Sequence, residues 1–188
     1  MQIRRLTAGL RYSVVGALAL ATGGPAQLLA HDHDGHRKQA NALVKVVREA
    51  TERYKDVRVA EADGYVLQFG CVSGGDTGAM GLHYVNGALV GDPALDPTRP
   101  EIVIYEPLPN GRLQLVGADF LVLASDWHAK NPAPPELMGQ LMHLFESPNR
   151  FGLPNFYTLH VWAWKENPTG TFSNWHAKVS CDAFRGGE

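Results

Sequence analysis

The chain lacks an apolar run long enough to cross a membrane. Its apolar stretch near the amino terminus, Val14 to Ala21, is eight residues, against roughly twenty for a spanning helix. It lacks a basic surplus as well: 17 lysines and arginines stand against 19 aspartates and glutamates, a formal charge of −2. Without basic stripes or aromatic platforms beside lysines, nucleic acid and anionic membrane surfaces are poor partners. A nucleophile elbow is missing, since Ser73, Ser125 and Ser173 stand outside any Gly-x-Ser-x-Gly context, and the serine-hydrolase reading goes with it. The strand segments hold neither a His-x-His pair nor His-Glu-x-x-His, so no ready-made zinc motif names the chemistry.

Cysteine is scarce, with only Cys71 and Cys181. In an oxidising compartment such a pair forms one structural disulfide. Closing 110 residues, it would contribute about 4–5 kcal/mol on the chain-entropy model. A thiolate nucleophile or a metal-ligating cysteine is the functional alternative.

What is present begins with an address. Arg4, Arg5 and Arg11 precede the short apolar run, and Leu28-Leu29-Ala30 resembles a cleavage site. Residues 1–30 therefore read as a signal peptide, placing the mature protein in the periplasm or outside the cell, without a stable membrane anchor. Arg4-Arg5 raises twin-arginine export beside general secretion. Cleavage removes three arginines and no acids, leaving a net charge of −5. The new terminus, His31-Asp32-His33-Asp34-Gly35-His36, reads as a mobile histidine-rich tail over 31–36. A free amine with His33, flanked by His31 and His36, also makes a possible secondary Cu(II) or Ni(II) site.

Residues 37–188 read as one domain. Leu43, Val47, Ala50, Tyr54 and Val57 recur at helical spacing to about Ala62, and Asp63-Gly64 is a stop signal. Beyond Gly64 the period becomes that of strands: 65–69, 82–85, 101–106, 112–123, 157–164 and 176–181. Asn110-Gly111 between two of them is a hairpin signal. A short helix is expected over Glu136–Phe145, from Leu137, Leu141 and Phe145 behind a proline. The fold class is then α+β, an antiparallel, strongly curled sheet or small barrel packed by one long and one short helix.

Strand parity supplies the candidate site. Leu113, Leu115, Gly117, Asp119, Leu121 and Leu123 share one face by alternation, so Asp119 interrupts an apolar surface and needs a hydrogen bond, a cation or a metal. Glu106 shares parity with Ile102 and Ile104, His160 with Trp162 and Trp164, and His83 lies between Gly81 and Val85. His83, Glu106, Asp119 and His160 are thus the expected metal ligands, for Zn, Mn, Fe or Cu. Tyr84, Tyr105, Trp162 and Trp164 are the expected walls of a ligand pocket. His128, His143 and His176 read as surface groups.

Gly78-Ala-Met-Gly-Leu-His-Tyr-Val-Asn86, Tyr105-Glu-Pro with Asn110-Gly-Arg-Leu113, and Leu159-His-Val-Trp-Ala-Trp-Lys-Glu-Asn-Pro168 together resemble a group of uncharacterised exported bacterial proteins, over about residues 40–181. In that group a glutamate tends to stand where this chain has Asp119, and Asn-Pro usually follows the final tryptophan where this chain has His176-Ala177. The resemblance implies no activity and directs attention to His83, Glu106, Asp119 and His160. Three readings follow: an exported small-molecule metalloenzyme with a His/carboxylate centre, a non-catalytic periplasmic metal- or ligand-binding protein, and an interaction domain whose polar groups are core hydrogen-bond partners.

Overall fold

A computed structural model describes residues 25–186, with side chains from residue 35. Most of the expected signal peptide, residues 1–24, lies outside the described residues. Helix α1, Pro25–Thr51, includes residues 31–36 in its backbone. Its buried anchors on the body are Leu43 and Val47, one turn apart and fully buried, each worth about 1.5–3 kcal/mol. Arg48 donates Nε and Nη2 to the Ala163 carbonyl at 2.9 and 2.6 Å, fixing the end of the helix to the sheet. A 3-10 turn, Glu52–Lys55, leads to α2, Val57–Ala62, where the Asp56 side chain accepts from the Arg58 amide as a cap.

The strands are β1 (Tyr65–Ser73), β2 (Ala79–Asn86), β3 (Ile102–Pro107) and β4 (Leu113–Leu123). A one-turn helix α3, Gly87–Val90, capped by the Asn86 side chain, follows β2; α4, Ala124–His128, follows β4. Then come β5 (Glu136–Leu137), β6 (Gln140–Leu141), β7 (His143–Phe145) and β8 (Phe156–Val161). Six strands form one antiparallel sheet in the order β1-β2-β3-β4-β8-β7, while β5 and β6 pair separately. β3 and β4 are joined by a tight turn in which Gly111, at φ +77°, donates to the Leu108 carbonyl.

The sheet is open, with β1 and β7 as its edges. The expected barrel or strongly curled sheet is therefore wrong. Here both faces are covered by other parts of the chain, so hiding apolar surface does not require closure. One face packs under α1 and α2, through Phe120, Val122, Leu159 and Val161 on one side and Tyr65, Leu82, Val103 and Tyr105 on the other. The opposite face, with Ile102, Ile104, Leu121, Phe145, Phe156 and Trp162, is covered by Phe151, Leu153 and Val179 from loops.

Two further expectations fail locally. Residues 136–145 are strands and a turn because Met138 and Gly139 both take positive φ, 48° and 82°, which a helix cannot contain. Leu137 is buried while Leu141 is 61% exposed, so their spacing marks no common face. Residues 176–181 form turns with a single bridge, Ala79 to His176. Cys181 nonetheless reaches Cys71, and the disulfide is formed. A disulfide fits an oxidising compartment, and no helix among the described residues is long and apolar enough to cross a membrane.

Candidate metal centre

Val85, Ile102, Asp119 and His160 lie in one row across β2, β3, β4 and β8. Their side chains point away from the helices, because their strand neighbours Tyr84, Val103, Ala118 and Leu159 belong to the helix-side clusters. His83 precedes Val85 by two residues and so shares this face. One donor atom from each of His83, Asp119 and His160 lies within 4.8 Å of the other two, and all three residues are buried. This group could hold a metal ion.

Each member is held from behind. Nδ1 of His83 lies 3.3 Å from the Gly81 carbonyl, which can only accept, so this nitrogen carries the proton and Nε2 offers its lone pair. Gly81 takes φ +88°, and a Cβ there would stand 2.6 Å from the Tyr105 carbonyl; only glycine fits where the backbone turns back toward the imidazole. Thr158 donates its hydroxyl to Asp119 Oδ1 at 2.5 Å. Trp162 packs its indole against His160, ring centroids 5.8 Å apart, and anchors itself by donating Nε1 to the Ser173 carbonyl.

His160 is the anomaly. Its Nδ1 lies 3.5 Å from Asp119 Oδ1, and among the described residues neither buried ring nitrogen has a partner in good hydrogen-bond geometry, with the Asn174 side chain the polar neighbour. A neutral imidazole always carries one N–H, and a buried donor without a partner costs about 1–3 kcal/mol. A metal ion would satisfy the bare nitrogen. Ligand bonds of about 2.0–2.1 Å bring donor atoms to within roughly 3–4 Å of one another. From at most 4.8 Å, the donor atoms thus need to close by up to roughly 1–2 Å, which modest side-chain rotations supply.

The charge state is that of a ligand set. Burial lowers the His83 pKa to about 4, helped by His160 beside it. Burial also lowers His160 to about 3. Burial raises Asp119 to about 6, against the pull of His83 and the Thr158 hydroxyl. At pH 7 both imidazoles are neutral and Asp119 is a carboxylate, the forms that bind metals.

Glu106 is not part of this group. It lies four residues along β3 from Ile102, the partner of Asp119, which puts it about 13 Å away along the strand. There it accepts from Lys165 Nζ at 2.6 Å and from the Ser180 amide at 3.1 Å, tying down the carboxyl-terminal segment.

The expected pocket walls are elsewhere too. Alternation with His83 puts Tyr84 on the helix side, where it meets Tyr105, whose hydroxyl donates to the Tyr54 carbonyl. Trp164 donates to Thr51 and lies under the Arg48 and Lys55 cations. Trp162 supports His160 from the side and does not line the cavity. Of the tail residues, His31 and His33 lie in the backbone of α1 and His36 is exposed on it. His176, expected at the surface, is fully buried, with Nδ1 accepting from the Lys178 amide and Trp162 edge-on at 4.7 Å.

The walls that are present are phenylalanines. A cavity of about 30 Å³ opens over the triad, lined by Phe69, Phe145, Phe151 and Phe156 with Met80 and Leu153. The loop between β7 and β8 holds Phe151 in place through Asn149, whose Oδ1 accepts from the Phe151 and Leu153 amides. The sequence signal for this wall was three phenylalanines within twelve residues, 145–156. Thr158, two residues before His160 and on its face, was legible by parity in the same way.

No family model, curated protein or solved structure matches the chain. The reading of the site rests on its own geometry.

Proposed function

We propose that this protein is a small-molecule metalloenzyme whose centre is His83, Asp119 and His160. The observation that carries the reading is His160, fully enclosed, with two unpartnered ring nitrogens beside a carboxylate and a second imidazole. Two imidazoles and one carboxylate suit Fe(II) and Zn(II) best among Zn, Mn, Fe and Cu. Three protein ligands would leave coordination positions open at a site that lines the phenylalanine-walled cavity. When bound, the ion would supply Lewis acidity or a site for dioxygen. The chain's own residues do the rest. Asp119 provides the single negative charge, Thr158 fixes the orientation of its carboxylate, the Gly81 carbonyl sets the tautomer of His83, and the phenyl walls make the surroundings apolar. No other ionisable side chain among the described residues lines the cavity, so a reaction that needs a separate general base is disfavoured. The disulfide supports operation in an oxidising compartment, which is where an exported protein works.

The size of the cavity favours a second reading. About 30 Å³ holds an ion and one or two waters, enough for a non-catalytic metal-binding protein. The first test is metal content by mass spectrometry on untagged protein purified without chelators. Near-stoichiometric Fe or Zn, lost in His160→Ala and retained in Glu106→Gln, is expected. Metal-free wild type, with no uptake on titration, sinks both readings. Azide added to the Co(II)-substituted protein then separates them. A shift of the visible d–d bands shows an open position and favours the enzyme; unchanged bands favour the binding protein.

A further inference from the structure

The cavity over the triad is not isolated. A second hollow of about 240 Å³ lies beside it, between β1, α3 and Leu153, and the two share Phe69, Ile102, Leu121 and Leu153. Val85, Val90 and Leu123 complete its apolar walls, and no charged side chain lines it. An engineered apolar cavity of about 150 Å³ suffices to bind benzene, so the hollow has room for a molecule of one ring. Of the four shared side chains, Phe69 is the one on the edge strand β1.

Phe69 is where it is because the backbone is forced. Tyr65 and Leu67 pack on the helix side of β1, and a regular strand would send Phe69 after them. Instead the pairing jumps from Gln68↔His83 to Cys71↔Leu82, leaving Phe69 and Gly70 unpaired in a bulge. Phe69 takes φ +62°, a left-handed conformation costing about 1–2 kcal/mol for a residue with a Cβ. The bulge turns its ring onto the triad side, edge-on to Phe151 at 5.3 Å, yet leaves it 49% exposed. Strain and exposure of a large apolar ring are both unfavourable, and they are retained at one residue, over the candidate centre.

We infer that Phe69 is the gate of a two-part site: the hollow receives an uncharged apolar molecule of about one ring, and movement of the Phe69 ring joins it to the triad cavity. This rests on the metal-centre reading for what happens at the triad, but the binding site itself does not depend on a metal. Charge selects the substrate class. Asp119 is the only anion among the described residues in either lining, and in the metal-free protein an organic anion entering phenylalanine and leucine walls would lose its hydration without a cation to meet it.

The test uses fluorobenzene as probe and benzoate as its charged counterpart, followed by ¹⁹F and ¹H NMR on the full mature chain. It is run on chelated, Zn(II)-loaded and Co(II)-loaded protein. Fluorobenzene is expected to bind all three forms, with benzoate at least about tenfold weaker in the chelated form. Val90→Trp, which fills the hollow at its half-exposed rim, should weaken fluorobenzene at least about tenfold without unfolding the protein. Phe69→Ala should accelerate probe exchange. In the Co(II) form the bound fluorine should relax several-fold faster than in the Zn(II) form, because the probe reaches the triad.

Absence of fluorobenzene binding in every form, or binding unaffected by Val90→Trp, overturns the site. Binding without paramagnetic relaxation in protein that holds Co(II) overturns the connection to the triad. Unchanged exchange in Phe69→Ala overturns the gate. Protein that takes up no Co(II) or Zn(II) but binds fluorobenzene refutes the metal centre and supports the apolar site, so the two failures are distinguishable.

Discussion

Replacing His160 by leucine tests whether this imidazole is a ligand or an ordinary core residue. In the chelated protein both ring nitrogens are buried without partners. Substituting an apolar side chain of similar volume removes the stranded donor, worth about 1–3 kcal/mol. Against that stands imperfect shape, at most about 1.5 kcal/mol for a near-isosteric exchange. The chelated variant should therefore be as stable as wild type or more stable, by up to about 2 kcal/mol, or about 4–8 °C in Tm for a domain of this size. Metal should reverse the order. At an ion concentration of about 100 Kd, wild type gains about 2.7 kcal/mol by mass action while the variant gains almost nothing. Urea titrations of both proteins, with EDTA and with Zn(II) or Fe(II), give all four stabilities. The reasoning is refuted if chelated His160→Leu is clearly less stable than wild type and no ion stabilises either protein. That outcome would make His160 a packing residue.

Thr158→Val keeps the shape of the side chain and removes the 2.5 Å hydroxyl donor to Asp119; the metal Kd should weaken about 10- to 100-fold in a competitive chelator titration. Metal affinity should also fall as pH drops below about 6, where Asp119 takes up its proton, and the same titration at pH 7.5 and 5 reads this. Metal-free stability has two limbs of opposite sign. The lowered His83 and His160 contribute stability above 6.5 that is lost as pH falls toward about 4 and about 3. The raised Asp119 contributes stability below 3.8 that is lost as pH rises through about 6. A His83→Leu/His160→Leu double variant should flatten the acid limb in urea midpoints measured from pH 7 to 3.5. Reducing the Cys71–Cys181 disulfide, which spans 110 residues, should cost up to about 4–5 kcal/mol, seen as a lower Tm with dithiothreitol.

The strands were legible because each carries alternation or a turn signal, and the disulfide because only two cysteines exist. Asp119, His83 and His160 were legible because a polar residue inside an apolar strand needs a partner. What was not legible depended on which segment lies across a face. Glu106 shares the correct face but sits at its far end, which parity cannot tell. Tyr84 and Tyr105 were assigned to a pocket for their chemistry, when alternation with His83 already sent Tyr84 to the other side. The barrel failed for a similar reason, since loops 145–156 and 176–181 cover the second face and leave the sheet open.

Parity itself fails at the two places that create the site. On β4 the partners step from Ile104↔Gly117 to Tyr105↔Leu115, so Val116 is an extra residue. Leu113 and Leu115 accordingly pack on the helix side, while Asp119, Leu121 and Leu123 turn to the opposite side, and the expected common face of 113–123 does not exist. Had the strand run without this bulge, Asp119 would have followed Leu115 under the helices, with no histidine to meet. Gly117 makes the crossing possible, because a Cβ there would stand 2.6 Å from the Val161 carbonyl, where the chain leaving β8 passes over. The second bulge, at Phe69-Gly70, swings an aromatic ring onto the same face. Each bulge costs ladder hydrogen bonds, although Val116 at the first is itself fully buried in the core. Their shared effect is to bring Asp119 and Phe69 to one cavity.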